Sequence, residues 1–127
     1  MPGKLVHFEV PAQETGRARK FYGDVFGWSF QDSGMPGMDY QLTQAGGEPG
    51  GAVYTHEQQM DQIFCYFDTD DIDSSVAKVR ESGGEADDKA PIPGVGWFSH
   101  CTDTEGNKFG LFQTDESIAP PAAPGPS

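Results

Sequence analysis

One order of secondary-structure signals occurs twice along the chain, and it constrains the fold more than any other feature. Apolar side chains alternate with period two over Leu5–Val10, which is typical of a strand with two unlike faces. Apolar residues then recur at helical spacing between Thr15 and Gly27. Three short strands follow between turns rich in glycine and proline, at Trp28–Phe30, Tyr40–Thr43 and Ala52–Thr55.

The second half of the chain repeats this order. Gln62–Phe67 alternates like the first strand, and a helix with Ile72, Val76 and Val79 on one face ends before Gly83. Three extended segments complete the half, at Glu85–Ile92, Trp97–Thr102 and Lys108–Thr114. The repeat predicts an α+β fold of two βαβββ modules, about residues 4–56 and 62–115, within one domain of residues 1–115.

The last segment, residues 116–127, differs from the rest in composition. It holds four prolines in "SIAPPAAPGPS" and almost no side chain able to join a core. We predict that residues 116–127 are disordered.

The charge of the chain limits its partners. Eight basic residues against twenty acidic ones give a net charge of -12, which disfavours nucleic acid and anionic membranes because both need basic patches. Neutral or cationic small ligands are compatible with it. No apolar run approaches the ~20 residues of a membrane span, and the first residues lack the regions of a secretory signal, so we expect a cytoplasmic protein.

Two longer motifs resemble a known family. The stretches "HFEVPAQETGRARKFYGDVFGW" and "DTEGNKFGLF" are similar to the opening strand–helix unit and the last hairpin of the vicinal oxygen chelate superfamily. This superfamily includes glyoxalase I, bleomycin-resistance proteins, fosfomycin-resistance enzymes and extradiol dioxygenases. The resemblance covers roughly residues 4–115. It implies that the two modules form a cup-shaped, incomplete β-barrel around a ligand, with the helices outside.

The same resemblance implies a divalent metal, and the residues at the matched positions argue against it. Those positions are His7, about Gly51, Gln62 and Gly110. A glycine has no side chain to bind a metal, so we predict that the usual metal is absent and that both glycines leave open space in the cup. A divalent metal at a nonstandard site of His7, Glu9 and His100 is the alternative, since imidazole and carboxylate suit such ions.

The candidate site residues follow from strand alternation and from the resemblance. His7 shares a strand face with Glu9, and His100 shares one with Phe98. The predicted acid–base residues are His7, Glu9 and His100, because histidine titrates near neutral pH. The predicted ligand-binding residues are Gln62, Phe64, Tyr66, Phe98 and Phe112.

Three functional hypotheses remain open from the sequence. The first is a metal-independent protein that binds a small apolar or aromatic molecule. The second is a lyase or isomerase of the lactoylglutathione-lyase type, with or without metal, or a dioxygenase, as the resemblance implies. The third is sequestration of a cationic antibiotic by acidic cup edges. A homodimer is also left open by exposed sheet edges.

Overall fold

The computed structural model describes residues 3–34, 37–55 and 62–118. The predicted disorder of the C-terminal segment concerns mainly residues 119–127, which lie outside these ranges. The chain forms two compact units, Leu5–Cys65 and residues 66–118 together with residues 3–4. Each unit is described by itself.

The first unit has the predicted order of one strand, one helix and three strands. Its elements are β1 (Leu5–Pro11), α1 (Thr15–Phe26), β2 (Phe30–Asp32), β3 (Tyr40–Thr43) and β4 (Gly51–Tyr54). The strands lie in the order β2-β3-β4-β1. The β1–β4 pair is parallel, whereas β2–β3 and β3–β4 are antiparallel, so the sheet is mixed.

Helix α1 begins and ends where the sequence predicts. Glu14 is the extended N-cap residue, and Gly27 takes the left-handed conformation at the C-terminus with φ 75, where glycine costs least. The apolar stripe of α1 is not buried, however, because Phe21 and Val25 are 58% and 55% exposed. The helix instead contacts the aromatic ring of Trp28 through Tyr22, at a centroid distance of 5.2 Å.

The second unit contains one strand more than predicted. Its elements are β5 (Phe64–Asp68), α2 (Ile72–Glu81), β6 (Glu85–Ala86), β7 (Ala90–Ile92), β8 (Gly96–Thr102) and β9 (Lys108–Thr114). The strands lie in the order β5-β9-β8-β6, and β7 also pairs with β8. The first residues of β5 belong to the first unit, because the boundary follows Cys65. The predicted extended segment 85–92 is therefore two short strands.

Helix α2 packs on its sheet through the predicted face. Asp71 is the N-cap and accepts a hydrogen bond from the Ser74 backbone N–H at 3.2 Å, which satisfies one unpaired helical donor. Ile72 and Val76 are buried, and Val79 packs beside them. The complete core cluster consists of Ile72, Val76, Cys101 and Leu111.

The predicted α+β class with two successive modules is thus confirmed, while β2 and β5 each begin two residues later than predicted. Strand β2 begins at Phe30 rather than Trp28, whose ring stacks on Tyr22. Strand β5 begins at Phe64, so Gln62 precedes the strand in which the alternation placed it. None of the helices in residues 3–34, 37–55 and 62–118 is long and apolar enough to cross a membrane.

Candidate functional site

Three polar side chains of the first unit form a continuous hydrogen-bonded chain. His7 and Glu9 lie on one face of β1, and Tyr40 begins β3. The His7 Nε2 atom lies 2.6 Å from the Tyr40 hydroxyl, which donates a hydrogen bond to Glu9 Oε2 at 2.7 Å. We call this arrangement the His7–Tyr40–Glu9 chain. It shows that the Tyr40 hydroxyl links both acid–base residues predicted on β1.

The sheet brings these groups together across an intervening strand. Strand β4 lies between β1 and β3, and Ala52 of β4 pairs with Glu9. Ala52 has no exposed surface and forms a core cluster with Tyr40 and Tyr54. Paired residues project from the same face of a sheet. The small side chain at position 52 therefore leaves space for Tyr40 to reach toward β1.

Burial sets the protonation states of His7 and Tyr54 on this face of the sheet. Burial lowers the pKa of His7 below its ordinary value of 6.5, although the Glu9 charge opposes that shift. Burial, with the Glu9 charge adding to it, raises the pKa of Tyr54 to about 12. Removing a charged group from water disfavours its charged form. Near neutral pH the His7 ring is therefore neutral and able to accept a proton, and Tyr54 remains a protonated phenol.

The second unit holds a separate tyrosine–histidine contact. Gly110 of β9 pairs with Tyr66 of β5 on one side and with His100 of β8 on the other. The Tyr66 hydroxyl lies 3.2 Å from His100 Nε2, and the rings of Phe98 and His100 are 5.2 Å apart. His100 is exposed, whereas Tyr66 is 8% exposed. Phe112 pairs with Phe98, so it extends this face as the alternation predicts.

The eight predicted site residues divide equally between the units. In the first unit, the structure connects His7 with Glu9 through Tyr40, while Phe64 is 1% exposed and therefore part of the interior. Gln62 is half-buried and lies before β5. The second unit holds the other four, which are Tyr66, Phe98, His100 and Phe112.

The two glycines do not leave open space, so that prediction is wrong. Phe8 pairs with Gly51, and a Cβ atom at Gly51 would lie 2.6 Å from three atoms of the Phe8 ring. The Tyr66 ring covers Gly110 in the same way. In each parallel pair, the aromatic residue opposite the glycine occupies the volume that a side chain there would need.

The Gly51 position also faces away from His7. Gly51 projects with Phe8, and alternation along β1 places His7 on the opposite face. Interpreting Gly51 as the second metal position is therefore wrong. Ala52, which pairs with Glu9, lies on the face of His7 and has no ligating atom in its side chain.

The described residues of the first unit do not form a site that fits the divalent metal of the superfamily. His7 Nε2 contacts the Tyr40 hydroxyl, which in turn bonds the Glu9 carboxylate. Within residues 3–34, 37–55 and 62–118, no three His, Cys, Asp or Glu side chains converge as a metal-binding group. A divalent ion needs several imidazole or carboxylate ligands that point at one place. The unit offers a phenol-linked pair of such groups instead.

Two residues of this face were missed or undervalued by sequence reasoning. Tyr40 has only the signal of an aromatic residue opening a short strand, and Tyr54 closes the next strand. The antiparallel pairing of β3 with β4 sets Tyr40 opposite Tyr54. The predicted strands Tyr40–Thr43 and Ala52–Thr55 carry no signal of the contact of Tyr40 with β1.

Comparison with known protein sequences identifies relatives along nearly the whole chain. The family described as bleomycin resistance protein-like N-terminal matches residues 4–46. A glyoxylase-like domain-containing protein of Didymella fabae is 32% identical over 118 residues, which cover 86% of this chain and 92% of the relative. The CFP32 protein of Mycobacterium bovis is 30% identical over 87% of this chain. The matched region there is 45% of the relative, so the chain spans about half its length.

Solved structures share the fold at low sequence identity. A glyoxalase/bleomycin resistance protein/dioxygenase superfamily member from Vibrio splendidus has a TM-score of 0.67 at 14% identity, covering 87% of this chain and 98% of that chain. Methylmalonyl-CoA epimerase from Mycobacterium tuberculosis has a TM-score of 0.67 at 14% identity, covering 88% of both chains. The similarity in sequence to the Didymella protein and the shared fold lead to one conclusion: the chain belongs to the glyoxalase/bleomycin resistance/dioxygenase superfamily, the vicinal oxygen chelate superfamily.

Proposed function

We propose that the protein binds a small neutral or cationic molecule with an apolar or aromatic body, and that it does so without the divalent metal of the superfamily. The observation that supports this is the His7–Tyr40–Glu9 chain, in which the Tyr40 hydroxyl engages His7 Nε2 and Glu9 Oε2, two atoms that could otherwise bind a metal. The carboxylate of Glu9 disfavours an anionic ligand beside it. The net charge of -12 acts in the same direction at long range.

The residues around the His7–Tyr40–Glu9 chain suit a ligand with one polar end. Tyr40, Ala52 and Tyr54 form a buried cluster on the same face as His7. Ligand sites commonly combine an apolar lining with a few fixed polar groups that orient the ligand. The hydroxyl of Tyr40 is held between two partners, so the polar groups of the site are ordered before the ligand arrives.

The first experiment screens neutral, cationic and anionic aromatic compounds by thermal shift, with protein treated with a chelator and with protein given zinc, nickel or manganese. We expect neutral or cationic compounds to raise the melting temperature equally in the presence and absence of metal, because binding to the folded state stabilises it. Calorimetry then measures the affinity of each hit for wild type and for Tyr40→Phe.

Tyr22→Phe is the matched control, since Tyr22 belongs to the aromatic stack of α1. Tyr40→Phe should weaken binding several-fold, in line with the ~0.5–1.5 kcal/mol of one hydrogen bond, while Tyr22→Phe leaves the affinity unchanged. Binding that requires stoichiometric metal contradicts the proposal. Equal ligand affinities of Tyr40→Phe and Tyr22→Phe also contradict it.

Proton transfer is the second candidate function, and the lowered pKa of His7 favours it. A neutral imidazole near pH 7 is suited to remove a proton from carbon beside a carbonyl group. The Didymella relative carries a glyoxylase-like name, while the epimerase shares only the fold. This candidate makes the protein an isomerase or lyase of glyoxalase type, with His7 as the base.

The test of proton transfer follows turnover of α-ketoaldehyde–thiol adducts and the exchange of their carbon-bound hydrogen in deuterated water. His7→Gln should abolish both, and wild-type rates should fall as the pH drops through the lowered pKa of His7, because the imidazole then becomes charged. His100→Gln is the control. If neither turnover nor exchange occurs with wild type, binding alone remains.

A further inference from the structure

We infer that Tyr40 and Glu9 are positioning residues that hold the His7 ring as the tautomer protonated on Nε2, so that Nδ1 is its proton-accepting nitrogen. The inference concerns the unliganded protein and stands on the three side chains of the His7–Tyr40–Glu9 chain. Its consequence for the ligand rests on the proposed function and specifies how that ligand must approach His7.

The tautomer of His7 follows from counting the hydrogens available for hydrogen bonds within the His7–Tyr40–Glu9 chain. A phenol carries one hydrogen, and within the described part of the structure the Tyr40 hydroxyl contacts His7 Nε2 at 2.6 Å and Glu9 Oε2 at 2.7 Å. An ionised carboxylate only accepts hydrogen bonds. The Tyr40 hydrogen therefore points at Glu9, and the hydroxyl oxygen must receive its second hydrogen bond from His7. That bond requires a hydrogen on Nε2.

The opposite arrangement carries a clear energetic penalty. If His7 carried its hydrogen on Nδ1, Tyr40 would donate to Nε2, and its oxygen would face an ionised Glu9 oxygen with no hydrogen between them. Two acceptors at 2.7 Å repel each other. Protonating Glu9 would remove the repulsion but would give up the stronger hydrogen bond that an ionised acceptor makes. The Nε2–H tautomer avoids both penalties.

The neutral ring is the relevant species because burial lowers the pKa of His7. In neutral imidazole, one nitrogen donates and the other accepts, and the hydrogen bond of one nitrogen fixes the role of the other. A ligand that contacts Nδ1 must therefore offer a donor, such as a hydroxyl, an N–H group or an acidic C–H group. A carbonyl or carboxylate oxygen is the wrong partner for that atom.

The tautomer is measured by nitrogen-15 NMR of the His7 ring in unliganded, uniformly labelled protein, above pH 6.5 so that the ring is neutral. Loss of one signal set in His7→Gln assigns the ring among the three histidines. We expect a pyrrole-type signal from Nε2 and a pyridine-type signal from Nδ1. In Tyr40→Phe and in Glu9→Gln, we expect the two signals to move toward an averaged position as the tautomers mix.

Glu85→Gln is the matched control, because Glu85 is an exposed carboxylate on β6 of the other unit, and it should leave the His7 signals unchanged. A wild-type His7 ring whose two nitrogen signals are averaged, or that is protonated on Nδ1, overturns the inference. This outcome is measured on the wild-type protein and does not depend on whether the Tyr40 or Glu9 variants fold. An unchanged ring in folded Tyr40→Phe also overturns it. Failure of every ligand in the thermal-shift screen bears on the proposed function alone, since the NMR measurement uses no ligand.

Discussion

Gly51 and Gly110 are covered by the aromatic residues that pair with them on the neighbouring parallel strands. Phe8 covers Gly51, and Tyr66 covers Gly110. A glycine in a strand packs no side chain of its own. The ring opposite fills that volume in both units, so the glycines serve packing between strands. The sequence showed two glycines at corresponding places but not the rings above them.

Gly51→Ala should destabilise the protein by about 1–3 kcal/mol, which is the usual range for adding a methyl group to a filled core. The new Cβ would lie 2.6 Å from the Phe8 ring. Urea unfolding measures the change. Gly16→Ala is the control, because its Cβ meets only the Arg19 side chain at 3.9 Å and alanine favours a helix.

The double variant Gly51→Ala/Phe8→Leu tests the cause. Shortening the side chain at position 8 should recover part of the loss, so that the two substitutions are not additive. Additive effects, or a Gly51→Ala protein as stable as Gly16→Ala, would show that the Phe8 ring does not restrict this position.

The faces of individual strands were largely predictable from alternation, whereas contacts between distant strands were not. Leu111 and Phe109 pack toward α2 as their parity requires, because successive side chains of a strand point to opposite faces. The contact of Tyr40 with His7 depends on the order and register of β3, β4 and β1. Periodicity along one strand contains no information about the order and register of its neighbours.

The two helices read alike in the sequence but are buried to different degrees. Both carry apolar residues at helical spacing, yet α2 buries Val76 at 7% exposure, whereas Val25 of α1 is 55% exposed. A helical stripe predicts where a helix is, but the amount of sheet facing it decides burial. Tyr22 of α1 stacks on Trp28, which follows the helix and whose ring lies 5.9 Å from that of Phe8 on β1.

The same substitution in both helices tests this difference. Val76→Ala should lower the free energy of unfolding by about 2 kcal/mol, since a buried valine side chain contributes roughly 1.5–3 kcal/mol. Val25→Ala should change it by less than about 0.5 kcal/mol, as surface substitutions do. Urea unfolding of both variants gives the comparison. Equal losses would mean that the apolar stripe of α1 is covered in solution.

The acidic composition acts on the molecule as a whole. A net charge of -12 on 127 residues produces repulsion that opposes the compact state, and salt screens it over about 10 Å at 0.1 M. We expect sodium chloride to raise the urea midpoint of wild type. The triple variant Glu81→Gln, Glu85→Gln and Glu116→Gln removes three exposed negative charges and should respond less to salt. An identical salt-induced change in the urea midpoint of both proteins would contradict charge repulsion as the cause of the salt effect.

The sequence by itself determined the class of the fold, the superfamily and the order of the elements, apart from the additional strand of the second unit. These follow from periodicity, from turn residues such as Gly27 and from two motifs, all of which are local properties of the chain. Only the tertiary structure decided that Gly51 faces away from His7, that aromatic rings cover both glycines, and that Tyr40 joins His7 to Glu9. Each of these results depends on strand order and register, which arise from pairing between residues far apart in sequence.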